Sequence, residues 1–292
     1  MTNIKIFFII HFSRSKKIKK IIQSFFKNRN EKIFLVTSKY KGHTSVLTKN
    51  AIKQNANIIV ACGGDGTINE IINQIANTKI KLGILPFGSG NGIAKHFKIP
   101  NNINQALNLI ISNNSKFSDL GKIDKFYFLG NLGFGFENEF INQYQKLNGR
   151  GFIYYLFGFI MASLKFNYNT FEIKKSNKTK KTKPFAFTIS NLNQQGYNVS
   201  ITPKARDNDG LLDVAIFEKK NIFKIIKFLF FILFKVKNQT LEEFKIKKID
   251  VKNMGRDYLD FQIDGEHHKI NKNKVTIEVK KSIITVIAQE HW

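Results

Sequence analysis

The segment IIVACGGDGTINEIINQ, Ile58 to Gln74, constrains the fold more than any other stretch. An apolar run, Ile58 to Ala61, stops at Gly63-Gly64. A single acid follows at Asp65, and after Gly66 and Thr67 the apolar residues Ile68, Ile71, Ile72 and Ile75 recur at helical spacing. A buried strand that bends on glycine and enters a helix at once predicts a strand–helix unit of a parallel sheet. KLGILPFGSGNGIAKHF repeats the design, with a strand from Leu82 to Leu85, a loop carrying Gly88, Ser89, Gly90 and Asn91, and a short helix.

Glycines after a strand let the backbone approach a bulky ligand, and the helix that follows offers free N–H groups to an anion. The pattern is not a P-loop, because no Gly-Lys-Ser/Thr closes it. A lone carboxylate beside a phosphate needs a divalent cation between them, so Asp65 points to Mg²⁺. Either that holds, or Asp65 or Thr67 caps a helix in an ordinary turn. Two such loops on neighbouring strands point to a nucleotide; the alternative is two unrelated turns.

The same alternation fills the first part of the chain. Strands are predicted at Ile4–Ile10, Ile33–Val36 and Ile58–Ala61, and helices at Ser15–Phe26, His43–Gln54 and from the glycine bend to Ala76. After about Lys122 the pattern changes. KFYFLGNLGFGF, PFAFTISNL, LLDVAIFE, KIDVKN, YLDFQID and KVTIEVK read as strands, several alternating apolar and polar, and predict a mostly antiparallel second domain. GFIYYLFGFIMASLKF and NIFKIIKFLFFILFKV read as apolar helices, and Lys174 to Lys183 as a basic loop, a mobile hairpin connection. The expected fold class is therefore α/β: a parallel-sheet nucleotide-binding domain over residues 1–122 and a β-rich domain over 123–292, whose C-terminal tail packs back on the first domain.

Charge narrows the partners. Lys and Arg outnumber Asp and Glu by 47 to 21, giving a net charge of +26 over 292 residues. That balance favours anionic partners: nucleic acid, an anionic membrane surface or phosphorylated ligands. Nucleic acid is not expected, because the phenylalanines lie inside apolar runs instead of alternating with Lys and Arg as stacking platforms. The lone Cys62 makes no internal disulfide and reads as a small core residue. The N-terminus has no basic segment before its apolar residues, and no run reaches the length of a membrane span. A cytoplasmic location is expected.

Near the C-terminus, FQIDGEHHK ends a strand in Asp264-Gly265-Glu266. Asp-Gly is a common hairpin pair. The alternative is a carboxylate pair at a strand end, one member accepting a hydroxyl proton while the other holds it.

Taken in order, GGDGTINE, LPFGSGNGIAKHF, DLGK and DGE resemble the diacylglycerol kinase catalytic-domain superfamily, which includes bacterial soluble lipid kinases and the diacylglycerol, sphingosine and ceramide kinases. TSKYKGHT, from Thr37 to Thr44, and RDNDGLLDV also match family segments, so the resemblance covers nearly the whole chain. It implies an NAD kinase/diacylglycerol kinase-like fold and an ATP-dependent lipid kinase, with catalysis in the cleft between the two domains. It implies ATP contacts from Thr37, Gly63, Gly64, Asp65, Gly66, Thr67, Asn69, Gly88, Ser89, Gly90 and Asn91. It assigns nucleotide-bound Mg²⁺ to Asp65 and its network to Asp119, and catalysis to Asp264 and Glu266. It also implies a structural Mg²⁺ at Asp209 with the carbonyls of Arg206 and Leu211, where Asp207 and Asp213 lie close enough in sequence to confuse the assignment.

Two departures stand out. Many diacylglycerol-type members carry Asn-Asp where this chain has Asn91-Gly92, as sphingosine- and ceramide-kinase-like members do. The N-terminal phosphate segment is reduced to HFSRSKK, in which Ser13, Arg14, Ser15 and Lys16 remain. The implied partners are a membrane lipid, an anionic membrane surface met from the cytoplasmic side by the helix at residues 222–237, and a second copy in a homodimer. Diacylglycerol is the expected acceptor, a sphingoid base or ceramide the runner-up, with phosphatidylglycerol also possible.

Overall fold

The computed structural model describes residues 4–12, 15–147, 149, 152–194, 200–218 and 241–289. The chain divides into two compact units, Met1–Asp119 with Lys281–Trp292, and Leu120–Lys280.

In the first unit, strands β1 (Lys5–Ile10), β2 (Lys32–Thr37), β3 (Ile58–Gly63) and β4 (Lys81–Pro86) alternate with helices α1 (Ser15–Phe26), α2 (His43–Lys53) and α3 (Asp65–Ile75). The short α4 (Gly92–His96), α5 (Ile103–Ser112) and strand β5 (Ser115–Ile123) follow. The sheet order is β2-β1-β3-β4, all parallel. Every residue of β3 is buried, as a central strand covered on both faces requires. Ile68, Ile71, Ile72 and Ile75 form the buried stripe of α3, matching their helical spacing. Gly42 precedes α2 with φ of 87°, and Glu70 of α3 accepts the N–H groups of Gly42 and Ser45, each at 3.1 Å. An acid of one helix thus caps the helix before it. Cys62 lies in the core, where burial pushes its thiol up beyond any reactive range.

The second unit opens with β6 (Phe126–Phe128), β7 (Asn131–Gly135), α6 (Phe136–Gln145) and α7 (Phe152–Lys165). Strands β8 (Phe171–Lys175), β9 (Lys178–Thr182), β10 (Pro184–Ser190), β11 (Leu212–Glu218), β12 (Glu242–Ile246), β13 (Lys248–Asn253), β14 (Leu259–Ile263), β15 (Glu266–Ile270) and β16 (Lys274–Ile287) complete it. One antiparallel sheet runs β12-β11-β10-β7-β14-β15. In another, β13 pairs with β8 and with the first half of β16, and β8 pairs with β9. Phe134, Phe187 and Phe261 from the first sheet meet Phe171 from the second in one core, with ring centroids 5.2–6.0 Å from Phe134. Helices α6 and α7 cover the other side of the six-stranded sheet through Phe136, Phe140, Ala162, Phe185 and Phe217.

The basic stretch expected as a hairpin connection is a hairpin, with both arms in strands. Lys175 pairs with Lys178 across a turn in which Ser176 has φ of 52°. β9 is almost wholly exposed, and lysines on such a strand discourage pairing with other chains. The predicted helix at residues 222–237 lies outside the described residues. Among the described residues no helix is long and apolar enough to cross a membrane. The last half of β16 belongs to the first unit, where Thr285 and Val286 pair in parallel with Lys81 and Leu82 of β4.

Candidate functional site

The two glycine loops of the first unit are built against each other. The N–H of Phe87 donates to the carbonyl of Gly63 at 2.9 Å. A Cβ on Gly88 would lie 2.5 Å from the Cα of Gly64, and one on Gly63 would lie 2.3 Å from Oγ1 of Thr67. Glycine is demanded here by loop-to-loop approach before any ligand is considered.

Asp65 does not cap its own helix, which has Gly64 at its N-cap. Its carboxylate reaches across to the second loop and accepts the N–H groups of Gly92 at 3.0 Å and Ile93 at 3.1 Å. It therefore ties the start of α3 to the start of α4. Burial raises its pKa, opposed by those two amides and by the Lys95 charge. Each carboxylate oxygen has capacity beyond one amide, so a cation remains within its chemistry.

At the carboxyl ends of the parallel strands, two polar atoms are buried without a hydrogen-bond partner: Oγ1 of Thr37, which ends β2, and Oδ1 of Asn91, in the loop after β4. Asn91 is left-handed, with φ of 50°, and its Nδ2 donates to the carbonyl of Gly88 at 2.8 Å. Ser89 is exposed, and Gly64, Gly66, Gly88 and Gly90 are half-buried. Thr67 is buried, and Asn69 is engaged by Nδ2 of Asn73. By helix geometry the first N–H groups of α3 have no acceptor inside the helix. Orphaned polar atoms, free amides and one carboxylate fit a nucleotide with its Mg²⁺, an ion usually held by one or two carboxylates together with substrate phosphates.

Asp119, fully buried at the end of the first unit's share of β5, accepts the N–H of Ser282 at 2.8 Å. Ser282 has φ of 52°, so the carboxylate holds a bent backbone in β16. The glycine of the Asp-Leu-Gly motif has its own reason within the second unit. A Cβ on Gly121 would lie 1.9 Å from the ring of Phe128.

In the second unit the Asp264-Gly265-Glu266 turn does join β14 to β15, with Asp264 and Gly265 both at positive φ. Asp264 is buried. Its Oδ1 accepts the N–H groups of Gly130 at 2.9 Å and Asn131 at 2.8 Å, and its Oδ2 that of Leu129 at 3.1 Å. Three backbone donors make it an anchor for the loop before β7. Glu266 is half-buried and accepts from Nε2 of Gln145 at 3.2 Å. His267 bonds Oδ1 of Asn138 through Nδ1, and the His268 ring stacks on Phe261.

The expected structural Mg²⁺ site holds a lysine. Oδ1 of Asp209 accepts the N–H of Leu211 at 3.0 Å, and Oδ2 meets Nζ of Lys245 at 2.6 Å. The same ammonium lies 3.4 Å from Asp213. Burial works against this ammonium, yet the two carboxylates outweigh it and raise the lysine pKa. Among the described residues no group of three or more His, Cys, Asp or Glu side chains is placed to hold a metal. As arranged, Arg206, Asp209 and Leu211 do not fit a divalent ion, because Lys245 already supplies the charge.

Glu70 and Lys245 escaped the sequence reading. Glu70 closes the GGDGTINE motif, and its partners lie 25 and 28 residues away.

Comparison with known proteins decides the family. Residues 5–123 match the model of the diacylglycerol kinase catalytic domain, and residues 134–288 that of the YegS C-terminal NAD kinase beta sandwich-like domain. The chain belongs to the diacylglycerol kinase family. The diacylglycerol kinases of Staphylococcus aureus strains JH9 and Newman are each 29% identical to it over 191 residues, 63% of this chain. The match spans 60% of the length of those curated relatives. A candidate diacylglycerol kinase of Bacillus anthracis str. Sterne superposes with a TM-score of 0.78 at 19% identity, covering 98% of this chain and 97% of that one. Another structure of a diacylglycerol kinase from that organism gives 0.71 at 16% identity, covering 98% and 97%. These likenesses show the fold, an N-terminal mostly parallel sheet followed by an antiparallel β-rich domain.

Proposed function

We propose that this chain is a kinase that transfers the terminal phosphoryl group of ATP to the hydroxyl of a membrane lipid, with diacylglycerol as the first acceptor. The observation that carries this reading is the pair of interlocked glycine loops, with Oδ1 of Asn91 buried and unpartnered in the second loop and Oγ1 of Thr37 likewise at the carboxyl end of β2. Those atoms and the first amides of α3 bind and orient the nucleotide phosphates. Asp65 holds the second loop in place and is the residue to carry the nucleotide's Mg²⁺. That ion supplies charge neutralisation at the transferring group when it is bound.

On the second unit, Glu266 takes the acceptor's proton. Asp264 is its anchor, because three backbone amides occupy the Asp264 carboxylate, while Glu266 accepts from the side-chain amide of Gln145. Membrane contact belongs to this reading too. Ile153, Phe157 and Met161 recur at four-residue spacing on α7 and are exposed, the first two at 67% and 57%. An apolar helical stripe on a chain of net charge +26 suits an anionic bilayer surface.

Asn91-Gly92 favours a second acceptor class, sphingoid base or ceramide. Gly92 brings no carboxylate to the loop, and its N–H is spent on Asp65. A labelled-ATP assay in mixed micelles separates these readings, using diacylglycerol, sphingosine, ceramide and phosphatidylglycerol. One labelled lipid, lost on chelating Mg²⁺ and reduced at least 100-fold in Glu266→Gln, is the expected result. No labelled lipid from folded, ATP-binding protein would overturn it.

A further inference from the structure

One half-buried glutamate has no part in the chemistry above. Glu137 lies in the first turn of α6, over the middle of the six-stranded sheet. Thr188 of β10 and Gln262 of β14 are both in register with Gly133 of β7, so the three form one row across the sheet. The Glu137 carboxylate sits above that row. It accepts from the Thr188 hydroxyl on one side and from the Gln262 amide on the other. A Cβ on Gly133 would lie 2.3 Å from Oε2 of Glu137, so the glycine is what admits the acid. The other end of Gln262 is also committed. Its Oε1 accepts the N–H of Gly265 at 3.0 Å, the middle residue of the turn that carries Glu266.

We propose that Glu137 is a positioning residue for phosphoryl transfer, fixing the Asp264-Gly265-Glu266 turn through the side chain of Gln262; this rests on the kinase reading above. The logic lies in the two ends of an amide. An ionised Glu137 only accepts, so Gln262 turns its NH₂ toward Glu137 and its oxygen toward the Gly265 N–H. A protonated Glu137 can donate, and an O–H on the oxygen that faces Gln262 favours the flipped amide. The flipped amide presents NH₂ to the Gly265 N–H and releases the turn. Burial lifts Glu137 to about 7, against the hydrogen bonds from Thr188 and Gln262, so the exchange falls in the neutral range.

Other titratable groups stand on the elements packed around Glu137, and each has contacts of its own. β7 and β10 carry no titratable side chain. On β14, Asp260 faces Arg256 at 3.5 Å and Asp264 is held by three amides. On β15, Glu266 meets Gln145, His267 meets Asn138, His268 stacks on Phe261, and Lys269 lies over the Tyr258 ring. On α6, Glu139 accepts from Gln143. On α7, Tyr154 is exposed.

The test compares wild type with Glu137→Gln and Gln262→Leu in the micelle assay across pH 5.5–8.5. Expected are a kcat at least tenfold lower in both variants, a KM for ATP within twofold of wild type, and loss of the acidic limb of the kcat profile near pH 7. The double variant should be no slower than either single one. A wild-type kcat and an unchanged limb in Glu137→Gln would overturn the inference. Protection of the Gly265 amide against hydrogen exchange, corrected for intrinsic rates, is a readout independent of catalysis. It should fall several-fold in wild type as pH drops through 7, and stay low and flat in Gln262→Leu. Flat protection in wild type sinks the inference even if the protein phosphorylates no lipid. Should Glu137→Gln not fold, Thr188→Val removes the other partner, and an unmoved pH limb in that variant counts against the inference.

Discussion

Gly88 lies so close to Gly64 that a methyl group on the first would sit 2.5 Å from the Cα of the second. The two loops can only part if that methyl is added. Gly88→Ala should therefore leave both units folded, since the contact is local, while ATP binding weakens at least tenfold. Calorimetric titration with a non-hydrolysable ATP analogue, beside a thermal melt, checks both halves. Tight binding by a folded Gly88→Ala would show that the loops are not the nucleotide cradle.

Lys245 stands between Asp209 and Asp213, both partly exposed, so the pairs are worth about 1 kcal/mol or less. Removing the ammonium leaves two carboxylates facing one another. Lys245→Met should lower Tm by a few degrees at low salt, and millimolar Mg²⁺ should restore part of the loss. Wild-type Tm should not respond to Mg²⁺ in the absence of nucleotide. A wild-type response would mean that a divalent ion displaces the lysine.

The stripe on α7 gives a membrane prediction. Phe157→Asp places a charge on a residue that is 57% exposed, so the fold should tolerate it with little change in Tm. Co-sedimentation with vesicles containing anionic lipid should drop at least fivefold, most visibly at high salt, where lysine attraction is screened. Unchanged sedimentation would move the contact elsewhere.

Glu137 also has a stability signature, and its sign is fixed. Its folded pKa is raised to about 7, well above the ordinary glutamate value near 4.5. The folded state therefore holds its proton more tightly than the unfolded chain between those values, and stability falls as pH rises through that window. Glu137→Gln lacks the effect. The variant should melt with wild type below about pH 4.5 and above it in temperature at pH 8. Melts in matched buffers test this. A variant less stable than wild type at pH 8 would assign Glu137 a purely structural role.

The sequence laid out much of this molecule. The strand–glycine–helix alternation placed β1 to β4 and their helices within a residue or two, because buried strands and amphipathic helices are local patterns. What escaped was cross-chain pairing. Asp65 was visible as an acid in a glycine bend, yet its partners, Gly92 and Ile93, lie 27 and 28 residues on. Glu137 sits in GFGFENEF, another acid just after a strand ending in glycine, so a signal was present. Its partners Thr188 and Gln262 come from strands that no local period connects to it. The run from Lys174 to Lys183 was legible as a hairpin connection, while its charge hid that both arms are strands.

The last half of β16 lies beside β4, while the rest of that strand belongs to the second unit. During synthesis the first unit therefore waits. Its β1 to β4 can gather as soon as they leave the ribosome, but the side of β4 away from β3 stays open until residue 286 has followed the whole second unit out. A nascent chain stalled before that point carries a hydrophobic, half-paired strand edge, the kind of surface that chaperones hold and that aggregation exploits.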